Sequence, residues 1–375
     1  MPIEPAAMES ASLRDFRTEV RAFWRQALAD FEPAKLAESW MLGSKPLTRE
    51  VGQQGLIGLT WPKDFGGREL TNAHRYIVWE EALAQGAPIN YCMPMDRQTG
   101  PMLLRHASAR LQASLLPRMV AGDISFCVGM SEPDSGSDLA SIRSRAERTH
   151  QGWLLNGRKV WTSGAHDADY MVGLFRSEKG SERHKGLSQF VIDMKSPGIT
   201  VRGIRNLRGL SHFNECVFDN VAVPADALLG AEGEGWKQVS EELAFERSGP
   251  ERFLSSFVLL REMVDNATAD DEAHTERLGH LIAELLSVRE MSLGISAMLD
   301  AGHSPANAAA LVKDLGTTFE QKLPDAAFDM FDVPADDVST LAVVLRQTAL
   351  CAPEYSIRGG AREILRGVIA KGLGL

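Results

Sequence analysis

The chain has 375 residues, with 40 Lys and Arg against 50 Asp and Glu and 44% hydrophobic residues. That is enough for two or three domains, or one composite core, without disulfides or a structural metal. A net charge of −10 with no basic run excludes a nucleic-acid footprint, 7% aromatic and 24% charged residues exclude wholesale disorder, and no apolar run approaches the ~20 residues of a membrane helix.

In chain order, Ser12 to Ala121 reads as mostly helical. Leu13, Phe16, Val20, Phe23 and Trp24 recur at three- and four-residue spacings. A turn-rich break at Trp61–Gly67 precedes helical patterns at Asn72–Ala84 and Ala109–Leu116. Near Asp123 the period changes to two. Ile124–Met130, Trp153–Leu155, Tyr170–Phe175, Gln189–Met194, Ile199–Ile204 and Glu215–Val223 read as strands, and Asn156-Gly157 predicts a hairpin turn because both residues tolerate positive φ. From Gly235 on, Val239–Val264, Glu276–Asp300, Ala306–Leu323 and Val338–Leu350 are helix candidates, and a last short helix follows Gly359-Gly360. Gly249-Pro250 predicts a kink or a boundary just after Glu246. The expected fold is α+β multidomain: an N-terminal helical domain (1–122), a middle antiparallel β-domain (123–232) and a C-terminal helical bundle (233–375).

Four scattered cysteines (Cys92, Cys127, Cys216, Cys351) make neither a disulfide framework nor a zinc pattern and fit a reducing cytoplasm. Nine dispersed histidines make metal catalysis a poor expectation. Met1–Arg14 lacks the apolar stretch of a secretory signal.

The stretch Phe126–Ala140 runs from a strand into a Ser-Glu-Pro-Asp-Ser-Gly-Ser-Asp loop, whose N–H groups and hydroxyls suit a polar ligand, though most such loops are ordinary turns. Lys159-Val160-Trp161-Thr162-Ser163 puts an aromatic and two hydroxyls at a strand end. It can stack on a planar ring, or simply supply a core Trp.

Together the two elements resemble the acyl-CoA dehydrogenase superfamily, with its SEPxxGSD-type loop, KxW(T/S)-type segment and helix–sheet–helix order. The likeness extends through Trp61–Gly67, His212–Phe218, Gly230–Trp236 and Phe245-Glu246-Arg247 to Ile357–Ile364. It implies bound FAD. Val128, Gly129, Met130 and Ser131 would line the isoalloxazine, Trp161 would stack on it, and Thr162 and Ser163 would bond near N5. Gly136 and Ser137 of the loop, with Gly360 and Ala361 of the C-terminal segment, would complete the cofactor contacts. Ser137 and Arg247 resemble residues that touch the CoA moiety or the acyl substrate, while Arg247 reads equally as an exposed helix arginine.

The resemblance also implies a carboxylate base that removes the α-proton while a β-hydride passes to the flavin. Most members carry it in the C-terminal segment, where this chain has Gly359. A subset resembling isovaleryl- and long-chain-type enzymes carries it in the LER-type segment, where this chain has Glu246. Without the family, Glu246 reads first as a solvated or salt-bridged helix carboxylate. Three family features are missing: an RxxFG segment between Val264 and Asp300, a QxxGGxGY segment near Gln347, and the threonine replaced by Ala361. Each weakens the hold on the ADP half of FAD. The implied partners are an acyl-CoA substrate, an electron-transfer flavoprotein as acceptor, and either identical subunits or a paralogous chain in a heterotetramer. The rival readings are a non-catalytic subunit and a flavin oxidase or monooxygenase on the same fold.

Overall fold

The computed structural model describes residues 10–268, 270–303 and 305–375, with the side chains of residues 242–246 outside that description. The chain forms two compact units. The first holds residues up to Leu42, Leu70–Ile89 and Ala244–Leu375. The second holds Gly43–Glu69 and Asn90–Leu243.

The first unit is helical. Helices α1 (Ala11–Ala27), α2 (Pro33–Glu38) and α4 (Asn72–Ala84) belong to it, with α8 (Phe257–Asn266), α9 (Glu272–Asp300), α10 (Ala306–Met330), α11 (Thr340–Tyr355) and α12 (Arg362–Gly372). Helix α1 starts where the Ser10 hydroxyl accepts the Leu13 N–H, and it buries Leu13, Val20 and Trp24 on one face. Asp271 and Ser339 cap α9 and α11 in the same way. Helix α4 buries Glu80 and Glu81. Arg17 reaches both at 2.6 Å and Arg289 reaches Glu80 at 2.6 Å, so the carboxylates enter the interior already paired.

The second unit carries α3 (Lys45–Gln53), α5 (Gly100–His106), α6 (Ala109–Val120), a seven-stranded sheet and most of α7 (Gly235–Glu246). The strands are β1 (Phe126–Gly129), β2 (Arg145–Thr149), β3 (Gly152–Ser163), β4 (Tyr170–Arg176), β5 (Leu187–Asp193), β6 (Ile199–Ile204) and β7 (Phe213–Pro224), in the order β1-β4-β2-β3-β7-β6, with β5 pairing β4. Cys127, Trp153, Leu155, Phe175, Phe190, Phe218 and Val221 form the main core on one face of the sheet.

Several sequence expectations change. Asn156-Gly157 is no hairpin turn but lies inside the continuous strand β3, and the turn falls at His150-Gln151 after β2, a strand the periodicity missed. Gly157 is required there for another reason. At φ +145 a side chain would collide with Ser144, and the register against β7 shifts at this point. The sheet is mainly antiparallel, yet β1 and β4 pair in parallel because β4 returns beside β1 only after the chain has built β2 and β3. Helix α10 passes the expected end at Leu323 and runs through Pro324, since its buried face (Phe319, Leu323, Ala326, Ala327) outweighs one lost backbone bond. At Gly249-Pro250 the chain breaks rather than kinks: α7 ends at Glu246, Pro250 opens a 3-10 turn, and α8 starts at Phe257. No helix among the described residues is long and apolar enough to cross a membrane.

Candidate active site

At the end of strand β3 the sheet unit presents an exposed aromatic side chain. Between Lys159 and Thr162 strand β3 slips its register against β7, and Trp161 takes φ +60. A positive φ is rare and costly for an aromatic residue. Here it belongs to a bulge that turns the indole outward, leaving it 58% exposed while Lys159 and Thr162 on either side are buried. The Phe213 ring meets the indole edge-on at 6.0 Å, and the His212 ring packs against Phe213 at 4.8 Å. Burial, reinforced by nearby Arg208 and His166, holds the His212 imidazole down to about 4, so it is neutral at pH 7.

Strand β1 and its loop lie directly beside this plate. The Val160 N–H donates to the Ser131 carbonyl at 2.9 Å, and Lys159 Nζ donates to the Met130 carbonyl at 3.0 Å. Of the residues expected to line a flavin, Val128, Met130 and Ser131 are half-buried, and Met130 also packs beside Ile142 and Leu174. Gly129 has no room for a side chain on its inner side, where a Cβ would stand 2.5 Å from Met171 Sδ. Ser163 is half-buried, directly across from Phe213. The Thr162 side chain instead turns inward beside the Cys216 thiol, and its carbonyl accepts Asn214 Nδ2 at 3.0 Å. Gly136 and Ser137 are exposed, and a Cβ on Gly136 would meet nothing within 4 Å. Among the described residues the Ser131, Ser137 and Ser163 hydroxyls and the Asp134, Gly136 and Ser137 N–H groups have no hydrogen-bond partner.

The sequence reading overlooked the pair that holds these pieces together. Lys159, fully buried, donates to Glu132 Oε1 at 2.9 Å, and Glu132 also accepts the Arg143 and Ser144 N–H groups at 2.6 and 2.9 Å. Burial drives the Lys159 ammonium down to about 8 against the pull of Glu132. Burial alone would raise the Glu132 carboxyl, but Lys159 and the two N–H donors bring it below its ordinary value. Both residues stand within the quoted motifs. Their pairing across 27 positions leaves no local signal in the sequence.

The helical unit holds the other candidate residues. Glu246 is the last residue of α7, and its side chain lies outside the described residues. Arg247 donates from Nε to the Gly359 carbonyl at 3.1 Å. Gly359 and Gly360 have φ +68 and +97, and a Cβ on Gly360 would stand 3.2 Å from Arg247 Nη2. Ala361 is the residue before α12 and accepts the Ile364 and Leu365 N–H groups with its carbonyl.

An exposed indole, a hydroxyl across the strand and a neighbouring loop of unused donors fit a planar ring with a polar edge, and so fit the isoalloxazine of FAD. Replacing Trp161 with Ala is expected to weaken FAD binding about three- to tenfold, the range of one aromatic stacking contact. Equilibrium dialysis of FAD checks this, and unchanged affinity would remove the indole from the site.

Comparison with known proteins gives concordant matches. Residues 10–123 match the model of the acyl-CoA dehydrogenase N-terminal domain, and residues 127–221 that of the acyl-CoA dehydrogenase middle domain. The chain is 31% identical to the acyl-CoA dehydrogenase IpdE1 of Mycobacterium tuberculosis, over 96% of both chains. Its fold resembles a solved structure described as the Tcur3481-Tcur3483 steroid ACAD, with a TM-score of 0.88 and 24% identity over 100% of this chain and 99% of that one. It also resembles one in the ChsE4-ChsE5 complex of Mycobacterium tuberculosis, with a TM-score of 0.85 and 24% identity over 100% and 99%.

Proposed function

The chain belongs to the acyl-CoA dehydrogenase family, FAD-dependent oxidoreductases acting on CH–CH groups, and from that premise we propose that it converts an acyl-CoA to its trans-2-enoyl-CoA with Glu246 as base. The outward-turned Trp161 beside the Ser131 loop carries the reading, because it fits the ring of the family's cofactor.

Bound FAD supplies the acceptor for the hydride that leaves Cβ. Ser131, Ser163 and the loop around Gly136 and Ser137 would hold the ring's polar edge against Trp161. Glu246 takes the α-proton, which the thioester acidifies, onto its carboxylate. Arg247 is a fork of fixed donors that binds an anionic or carbonyl group of the substrate, and its bond to the Gly359 carbonyl limits its freedom. Gly359 has no side chain to take a proton, which leaves Glu246 as the family-matched carboxylate.

The assembly is a complex of this chain with a paralogous chain. The missing RxxFG and QxxGGxGY segments support it, as does the two-chain nature of the ChsE4-ChsE5 structure. Ile282 and Leu286, exposed one turn apart on α9, suit a subunit contact. The physiological acceptor is an electron-transfer flavoprotein, and four buried free thiols support a cytoplasmic location.

The test is the visible spectrum of the purified chain, alone and co-expressed with a paralogue, followed by anaerobic acyl-CoA addition. The expected result is a flavin spectrum that bleaches within the complex. A flavin that reoxidises rapidly in air with peroxide release would turn the assignment to an oxidase, and a colourless complex would remove the catalytic assignment.

A further inference from the structure

We propose that Arg358, Glu320 and Lys313 are positioning residues for Arg247, acting through the Ser356–Gly360 turn. The inference rests on the substrate-binding role assigned to Arg247 above.

Helix α11 ends at Tyr355 and leaves carbonyls without intrahelical partners. Lys313, wholly buried on α10, sends its ammonium to the Ser356 carbonyl at 3.4 Å and to the Gly360 carbonyl. Two turns further along the same face of α10, Glu320 is also wholly buried. Its Oε1 accepts the Ser255 N–H at 2.6 Å and its Oε2 accepts Arg358 Nη2 at 2.7 Å. The same Arg358 nitrogen reaches the Glu251 carbonyl at 2.9 Å and Ser255 Oγ at 2.7 Å. The guanidinium lies against the Trp40 and Tyr355 rings, with its carbon 4.8 and 4.6 Å from their centroids. A planar fork between two aromatic faces is a site for Arg rather than Lys.

The turn is thereby gripped on both sides of Gly359. Lys313 holds the carbonyls of Ser356 and Gly360, and the Arg358 side chain anchors the residue before Gly359. The carbonyl of Gly359 itself remains directed at Arg247 Nε, at 3.1 Å. The two left-handed glycines bring the chain through this reversal. Three buried charges are a poor source of net stability compared with apolar packing of the same volume. What they provide is one fixed geometry for a carbonyl, and through it one orientation for Arg247.

The test uses the FAD-loaded complex with Arg358→Met, Arg358→Lys, Glu320→Gln and Arg247→Ala, and Arg358→Met combined with Arg247→Ala. Four quantities are followed: the anaerobic flavin-reduction rate, acyl-CoA affinity, the thermal midpoint and hydrogen exchange at the Ile357, Arg358 and Arg362 amides, which donate to the Glu354 and Ser356 carbonyls. A displacement of about an ångström at a positioned group costs up to about 100-fold in rate. Arg358→Met should therefore slow reduction between about 10- and 100-fold and speed exchange at the three amides by about tenfold or more. Arg358→Lys should recover only part of the loss. In the Arg247→Ala background, Arg358→Met should add little further loss of rate or affinity.

Parental rate and exchange in Arg358→Met, or losses that multiply in the double variant, overturn the proposal. Should Arg358→Met not fold, Glu320→Gln and Arg358→Lys carry the same cycle. If Glu246→Gln keeps full activity while amide exchange and the affinity cycle behave as described, the base assignment fails and the positioning role stands. If Glu246→Gln is inactive and the cycle is additive, the reverse holds.

Discussion

Glu246→Gln is expected to slow flavin reduction by acyl-CoA roughly 10²–10⁴-fold, the range for loss of a positioned general base, while leaving flavin content and thermal midpoint near those of the parent. Gln matches Glu in size but cannot take the α-proton. The expectation rests on chain position: Glu246 closes α7 immediately before the break at Gly249-Pro250, and the neighbouring Arg247 is tied to Gly359. Gly359, at the position that the resemblance gives to the base in most family members, offers no carboxylate. Glu246→Asp should retain part of the rate with a shifted acid limb, and Glu246→Gln should lose that limb. Stopped-flow absorbance under anaerobic conditions reads both. A parental rate in Glu246→Gln would move the base to another chain of the complex and make this one a supporting subunit.

Glu132→Gln is expected to lower stability at pH 7 by about 3–5 kcal/mol, because it strands the buried Lys159 ammonium. The pH dependence has a definite sign. Lys159 sits at about 8 in the folded chain against an ordinary 10.5, so the cost of burying its charge is fully present below pH 8 and is relieved as pH rises toward 10.5. Glu132 lies below its ordinary 4.5, so its stabilisation is present above that value and is lost as pH falls through the folded value. The deficit of Glu132→Gln should therefore be largest near neutrality and shrink above pH 8, where Lys159 deprotonates in the parent as well. Urea unfolding at pH 7 and pH 9.5 measures it. A constant deficit would mean that the amide, not the ion pair, is responsible. The variant should also bind less flavin, since Lys159 fixes the Met130 carbonyl next to Ser131.

The element order and family were legible because they are written locally. Periods of 3.6 and 2 placed the helices and most strands; Asn72–Ala84 matches α4 end to end, and Ile199–Ile204 matches β6. The Ser131 loop and the Trp161 segment are contiguous motifs, so their residues could be named without a structure. The boundary at Gly249-Pro250 was equally local, since a proline without an N–H cannot continue a helix. The resemblance carried Glu246 and Arg247, which periodicity alone would have left as ordinary helix charges.

What the tertiary structure decided depends on partners far away in the chain. Asn156-Gly157 has the composition of a turn, but Ser144 and Asn220 press against it and hold it in a strand. Strict alternation would have put Trp161 on the same side as Lys159. The slip against β7 inserts a residue and sends the indole outward, while Lys159 and Thr162 both point in. The Lys159–Glu132 pair and the Lys313, Glu320 and Arg358 cage are likewise invisible in one dimension. A buried charge is tolerable only with its partner, and the fold alone brings residues 27 and 38 positions apart into contact, as with Lys159–Glu132 and Arg358–Glu320. The sequence by itself thus determined the helix–sheet–helix order, most of its elements and the chemistry they belong to. Packing between distant segments decided which way the functional side chains face, because strand register and charge burial are settled only by what lies across from each residue.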